Sequence, residues 1–216
     1  MNNCPLCNSE KYKLYIDSSK THNHAEYYQC SECQLIYIDR KFILSLAEQK
    51  KRYLNHRNNS DDLHYRNFHN QLFIPMLPCL QPDFKGLDYG SGADSAIFAM
   101  FREKNFDIER YDPIFFNNTN LLQTKYDFIV CTETAEHFIN PQKDFSLLNN
   151  MLKHNGHIGF MTKLISSKNV LFDSGYIRDD THISFYSIET FEKIAFYFNW
   201  QITYSNNLNA IILKKN

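Results

Sequence analysis

The chain has 216 residues, a net charge of −1 and 43% hydrophobic residues, enough for one full domain with a sizeable core plus a small appendage. The near-zero charge leaves no general attraction to nucleic acid or to an anionic membrane, and no apolar run approaches a membrane span. Without a basic-then-apolar leader, the chain is expected to be cytoplasmic, with its cysteines reduced or metal-bound rather than paired.

Cys4-Pro-Leu-Cys7 and Cys30-Ser-Glu-Cys33 are two C-x-x-C pairs about twenty residues apart. Each pair presents two thiolates from a tight turn, and four thiolates close a tetrahedral zinc shell with no open position. The expected metal is therefore structural Zn2+, held by Cys4, Cys7, Cys30 and Cys33. Strand candidates at 12–16 and 26–28 make residues 1–40 a zinc ribbon, which relies on its metal because its own core is too small. A redox C-x-x-C and free surface thiols are the alternatives. His22 and His24 are further possible ligands that four cysteines make unnecessary. Lys11, Lys13 and Lys20 are offset by Glu10, Asp17, Glu26 and Glu32, so the basic stripe of a nucleic-acid binder is missing. A structural or lid role is favoured.

Residues 41–80 read as a helical connector. Apolar residues at 42, 43, 46, 47, 53 and 54 give one helical pattern, and Ser60-Asp61-Asp62 caps a second helix carrying Leu63, Phe68, Leu72, Phe73 and Met76. Pro75 and Pro78 end or bend it. Tyr53, His56 and Tyr65 flank the loop that faces the next segment, and are cofactor or substrate candidates beside ordinary packing roles.

The stretch Gly86 to Ser95, GLDYGSGADS, organises the carboxyl-terminal two thirds of the chain. A short apolar strand meets Asp88, then Gly90 and Gly92, then a helix whose residues 97, 98 and 101 share one face. Glycine suits a tight turn that a ligand's atoms must approach without meeting a Cβ, and Asp94 or Ser95 can cap the helix. About twenty residues on, a second strand over 106–111 ends in Asp112, placed to accept from the hydroxyls of a ribose. Ser95 stands where a dinucleotide fingerprint wants a third glycine, and Asp88 is a poor neighbour for phosphate. It suits a cationic ligand without phosphate, such as the ammonium of S-adenosylmethionine.

With LDYGSG (Leu87 to Gly92), Asp112 and YDFIVCTETAEHF (Tyr126 to Phe138), the chain resembles the class I S-adenosylmethionine-dependent methyltransferases over roughly residues 84 to 216. The resemblance implies a Rossmann-like α/β sheet over residues 81–216. In it, Asp88 and the Gly90 to Gly92 backbone would hold the amino-acid end of S-adenosylmethionine and Asp112 its ribose, with Tyr89, Pro113 and Thr132 beside them. Only residues 113–125 separate Asp112 from the next strand, too few for a helix–strand–helix set. The third strand and its helix are therefore expected to be shortened or lost, with Phe115 and Phe116 as stand-ins to cover adenine or as core.

Tyr126 to Cys131 reads as a buried parallel strand, succeeded at its carboxyl end by Thr132 to His137. Glu133 and His137, four apart, would share a face of a helical turn as an acid–base or metal-binding pair, or as a structural hydrogen bond. Asn140-Pro141 starts a helix that Asn155-Gly156 ends, and a strand over 157–162 comes next. The polar loop 166–181 then leads to His182, a base, a substrate ligand or a loop-stabilising residue. Ser187 caps the last helix, and strands at 200–204 and 209–213 make a terminal hairpin, a feature of the resembled methyltransferases.

The expected reaction moves methyl from S-adenosylmethionine to an N, O or C nucleophile. His137 or His182 would act as base, with Glu133 orienting it, and Phe138 and Tyr186 would line a compact acceptor pocket. A small-molecule acceptor is favoured over rRNA or tRNA. A non-catalytic nucleotide-binding scaffold and a nicotinamide oxidoreductase are the other readings.

Overall fold

The computed structural model describes residues 3–21, 23–54, 59–173 and 175–216. His22 and His56 therefore lie outside the described residues. The amino-terminal strands β1 (Tyr12–Ile16), β2 (Tyr27–Cys30) and β3 (Ile36–Ile38) form an antiparallel meander. Its aromatic pairs Tyr12–Tyr28 and Tyr12–Tyr37 meet edge to face, cross-strand contacts that stabilise so small a sheet.

Helix α1 (Leu46–Tyr53) starts at Ser45, whose hydroxyl and the Glu48 carboxylate form a reciprocal capping box. It is shorter than the sequence pattern, because Arg40–Phe42 forms a 3-10 turn of its own. Helix α2 (Leu63–Met76) is capped by Asp62 and buries Leu72, Phe73 and Met76.

The larger sheet begins with β4 (Lys85–Tyr89), then α3 (Ala96–Glu103) and β5 (Asp107–Tyr111). Next come β6 (Tyr126–Thr132), α4 (Pro141–Met151) and β7 (Leu152–Met161). Phe128, Ile129, Val130 and Cys131 are all fully buried, as a parallel strand covered on both faces requires. A short helix α5 (Lys168–Asp173) and the two-residue strand β8 (Ser184–Phe185) precede α6 (Ile188–Phe198) and the hairpin β9 (Trp200–Ser205) and β10 (Ala210–Lys215). The strand order is β5-β4-β6-β7-β10-β9, with β4 to β7 mutually parallel and β10 antiparallel to both neighbours.

Two sequence expectations about this half meet the structure differently. Between Asp112 and β6 the described residues hold only an isolated Asp112–Phe116 bridge and the 3-10 turn Thr119–Gln123, so the third strand and its helix are indeed absent. The Asn155-Gly156 helix stop does not hold. Helix α4 ends at Met151, and Asn155, in the left-handed region at φ 60°, belongs to a bulge inside β7. A β-bulge needs such a residue as much as a helix end does.

The two sheets are not independent. Strand β8 leaves the carboxyl-terminal half to pair with β3, Ile36 opposite Phe185 and Tyr37 opposite Ser184. Cys4, Leu6, Leu35 and Tyr37 share one hydrophobic cluster with Tyr89, Phe145, Phe160 and Tyr186. The ribbon segment thus packs on the carboxyl-terminal half along the loop that carries His182. Among the described residues, no helix is long and apolar enough to cross a membrane.

Candidate active site

The glycine turn at the carboxyl end of β4 is built as its sequence demands. Gly90 and Gly92 sit at φ 79° and 64°, and a Cβ on Gly90 would lie 2.3 Å from Cγ2 of Thr134. Thr134 Oγ1 donates instead to the Gly90 carbonyl at 3.0 Å, tying this turn to the end of β6. Ser95 is the cap of α3 and also donates to Asp88 Oδ2 at 2.6 Å. Asp94 is not the cap; it accepts from the Ser60 amide at 2.8 Å and so ties the connector to the turn.

Asp88 is fully buried, and among the described residues its Oδ1 has no hydrogen-bond partner. An unpartnered buried carboxylate oxygen is costly unless a cation or donor meets it. Beside a glycine cradle, that oxygen suits the ammonium of S-adenosylmethionine. Asp112 is also buried. Its Oδ2 accepts from the Gly92 amide at 3.0 Å, and its Oδ1 from Ile114 and Phe115 at 2.8 and 3.0 Å. The residue therefore shapes the turn on both sides as well as presenting a charge there.

The other expected cofactor residues divide. Thr132 is buried at the end of β6, and Pro113 is exposed just past Asp112. The Tyr89 ring stacks on Tyr111, 5.6 Å between centroids, and meets Phe138 edge-on. The packing there claims the ring. Phe116 lies under the Arg110 guanidinium at 3.6 Å, which covers one face of the ring expected to cover adenine.

Burial pushes the Asp88 carboxyl up to about 7; Asp112 adds to the shift, while Ser95 and Arg110 oppose it. A folded-state pKa above the unfolded value of about 3.9 means that the folded chain binds the proton more tightly. Stability conferred by the neutral form is thus lost as pH rises from about 4 through 7, by on the order of 4 kcal/mol in all. Urea unfolding should show the unliganded protein weakening across that window relative to Asp88→Asn. Parallel profiles for the two proteins would contradict the assignment.

At the end of β6 the structure corrects one pairing. Glu133 stands at φ 48° and donates its amide to the Met161 carbonyl at 2.8 Å. The helical turn begins only at Ala135 and is a 3-10 turn ending at His137. Glu133 and His137 therefore do not share a helical face. The carboxylate grouped with the histidines is Glu136: one ligand atom each from Glu136, His137 and His182 lie within 4.8 Å of one another. The His137 and His182 rings are 4.8 Å apart.

Each member of this group is fixed at one end. His137 Nδ1 meets the Thr181 carbonyl at 2.9 Å, and His182 Nδ1 meets the Tyr176 carbonyl at 2.7 Å. A carbonyl only accepts, so Nδ1 carries the proton on both neutral rings and Nε2 offers a lone pair. Glu136 is fully buried; its Oε1 accepts from the Tyr176 hydroxyl at 2.5 Å, and its Oε2 has no partner among the described residues. Burial holds His137 below the usual histidine range against the opposing pull of Glu136. Burial and the Glu136 charge raise the Glu133 carboxyl well above its ordinary value, with Lys163 opposing.

The connector supplies the roof. Tyr53 meets His137 edge-on at 5.4 Å, and Arg52 on the same helix pairs with Asp180 and, at 4.0 Å, with Asp179. Burial, then the charges of Asp88, Glu133 and Asp94, raise the Tyr65 phenol above its ordinary range. Phe138 and Tyr186, expected to line an acceptor pocket, are core residues instead. Tyr186 is fully buried and donates to the Ala135 carbonyl at 3.0 Å. Sequence reasoning missed Glu136 and Tyr176. Glu136 adjoins His137 in the motif, but Tyr176 comes from a loop forty residues downstream whose pattern carries no signal.

The four ribbon cysteines come together as the spacing requires. Cys4 Sγ lies 3.5 Å from Cys33 Sγ, and Cys7 Sγ 3.5 Å from Cys30 Sγ, with all four within 4.8 Å. Zn–S bonds of about 2.3 Å in a tetrahedron give S···S of about 3.8 Å, so the cluster fits a zinc ribbon.

A family model described as a methyltransferase domain matches residues 44–205. No curated protein matches the chain. Human N-acetylserotonin methyltransferase, solved in complex with S-adenosylmethionine, is similar with a TM-score of 0.53 at 11% identity, over 80% of this chain and 57% of that one. An O-methyltransferase family protein from Burkholderia thailandensis gives 0.52 at 10% identity, over 78% of this chain and 63% of that one. A methyltransferase from Methanosarcina mazei, described as S-adenosylmethionine-dependent, gives 0.50 at 12%, over 67% of this chain and 98% of that one. Likenesses at such identities speak to the fold.

Proposed function

This chain belongs to the methyltransferase domain family, and on that premise we propose that it uses S-adenosylmethionine to methylate a small molecule at the carboxyl edge of the sheet. The observation that carries the reading is the pairing of two half-satisfied sites on that edge. On one side is the glycine turn with the unpartnered Asp88 oxygen. On the other, across Thr134, is the group formed by Glu136, His137 and His182.

Asp88 and the Gly90 to Gly92 backbone hold the amino-acid end of S-adenosylmethionine, and Asp112 holds the ribose, with the Tyr89 backbone, Pro113 and Thr132 around them. The bound sulfonium supplies an already activated methyl group. What the chain adds is alignment and, for an acceptor that must lose a proton, a base. The Nε2 lone pairs of His137 and His182 serve there, with Glu133, which burial holds toward its neutral form, orienting them. Several features support a small acceptor. The net charge is −1, and the rings of Tyr53 and Tyr176 lie against His137 and His182. Of the similar structures, one is named as an N-acetylserotonin methyltransferase and another as an O-methyltransferase family protein.

The same reading divides the chain into three working parts. Residues 1–40 form a ribbon whose four cysteines hold a structural zinc, residues 41–80 form a roof over the cofactor, and residues 81–216 carry the transfer. The deciding experiment incubates the protein with labelled S-adenosylmethionine and either a metabolite extract or total RNA. Label in a small molecule is the expected result, and label in tRNA or rRNA alone would overturn the proposal. Replacing His182 with alanine should lower turnover about a hundredfold and leave cofactor affinity, measured by calorimetry, nearly unchanged.

A further inference from the structure

Glu136, His137 and His182 share a design that base catalysis does not require. Each has one polar end pinned by the protein, and the other end is left open in the same small volume. The two Nδ1 atoms are pinned by the Thr181 and Tyr176 carbonyls and Glu136 Oε1 by the Tyr176 hydroxyl. Glu136 Oε2, on a side chain with no solvent exposure, has no partner among the described residues. Histidines that bind metals donate their second ring N–H to a carbonyl or carboxylate in this way, which fixes the tautomer and aims Nε2 at the ion.

We propose that Glu136, His137 and His182 form a binding site for a divalent first-row cation, separate from the cysteine cluster. Two imidazoles and one carboxylate, with positions left open, are a donor set for Mn2+, Fe2+ or Zn2+. The three ligand atoms now lie within 4.8 Å of one another. Bonds of about 2.0 to 2.2 Å would draw them to roughly 3 Å apart, a movement small enough for side-chain rotation. The surrounding charge favours a cation: the carboxylates of Glu136 and Asp179 both act on His137. Tyr53 closes the side toward the connector.

The role of the cation rests on reading this edge as the acceptor site. Bound there through both Nε2 atoms, it would replace the histidines' role as base: it would take the oxygen of an acceptor hydroxyl and lower that hydroxyl's pKa, so that the proton leaves to solvent before transfer. A hydroxyl-bearing acceptor is the class this selects.

The test uses the full chain carrying one equivalent of zinc, titrated with Mn2+ and monitored by electron paramagnetic resonance. One Mn2+ site is expected. It should be lost in Glu136→Gln, whose amide oxygen keeps the Tyr176 contact, and weakened at least tenfold in His182→Asn. S-adenosylmethionine binding by both variants checks that they fold. No Mn2+ binding at millimolar concentration, or binding that both variants leave unchanged, would overturn the site. A chain that binds no Mn2+ and still needs His182 for turnover would remove the cation and keep the acceptor reading. Mn2+ bound through these residues with turnover indifferent to His182 would support the site and remove the acceptor reading.

Discussion

Cys30→Ser is expected to abolish zinc binding and to unfold β1, β2 and β3. Structural zinc contributes about 10 to 16 kcal/mol of apparent binding free energy in small domains, and that energy is folding energy. A three-stranded meander of this size has little core of its own to hold it. The loss should not stop at the ribbon. Strand β3 pairs with β8, and the Ile38 amide donates to the Ile183 carbonyl at 3.0 Å, next to His182. Cys30 and Cys33 are themselves part of the cluster that contains Phe145 and Tyr186. Elemental analysis should fall from one zinc per chain to none, and hydrogen exchange should rise across residues 12–38 and at 183–186. Turnover should fall as well, because His182 loses the strand that fixes its backbone. A variant that keeps stoichiometric zinc, or loses it with unchanged protection at 183–186, would refute this coupling.

Asp112→Ala should weaken S-adenosylmethionine binding by at least about a thousandfold. The sequence assigns Asp112 only the ribose. In the structure the same carboxylate also accepts three backbone amides, from Gly92, Ile114 and Phe115. Hydrogen bonds to a charged group contribute roughly 1.5 to 3 kcal/mol each, so losing two ribose bonds alone accounts for about two to four orders of magnitude. The substitution also releases the turn that positions Gly92, and preorganisation of a ligand's backbone contacts is lost with it. Asp112→Asn is the informative companion. It retains an acceptor oxygen but no charge, and should fall between the two in calorimetric titrations. An alanine variant within tenfold of the parent would mean that the ribose is held elsewhere.

The ribbon and the sheet were legible in the sequence because each depends on short-range spacing. Two C-x-x-C pairs bring four thiolates together whatever lies between them, and the structure brings the same four together. The glycine turn, the cap at Ser95, the short link after Asp112 and the terminal hairpin are likewise local. The misplaced site residues needed a neighbour distant in sequence. Glu133 and His137 obey helical spacing, but the Met161 carbonyl on β7 holds the Glu133 amide and delays the turn by two residues. Phe138 and Tyr186 are expected at a pocket and are in the core, because they join the apolar cluster of Phe145, Phe160 and Phe191, which also takes in the ribbon's Leu6 and Leu35.

What the sequence alone determined was the order of the strands' chemistry: an acid before the glycines, an acid after β5 and the Thr132 to His137 segment after β6. Those positions come from backbone periodicity and turn stereochemistry, which act over a few residues. Only the tertiary structure decided which carboxylate joins the histidines. Glu136, His137, Tyr176 and His182 come from two segments about forty residues apart, and no local rule sets their distance. The β3–β8 pairing and the shared core do so, since burying those apolar side chains fixes the loop that carries Tyr176 and His182 against the end of β6.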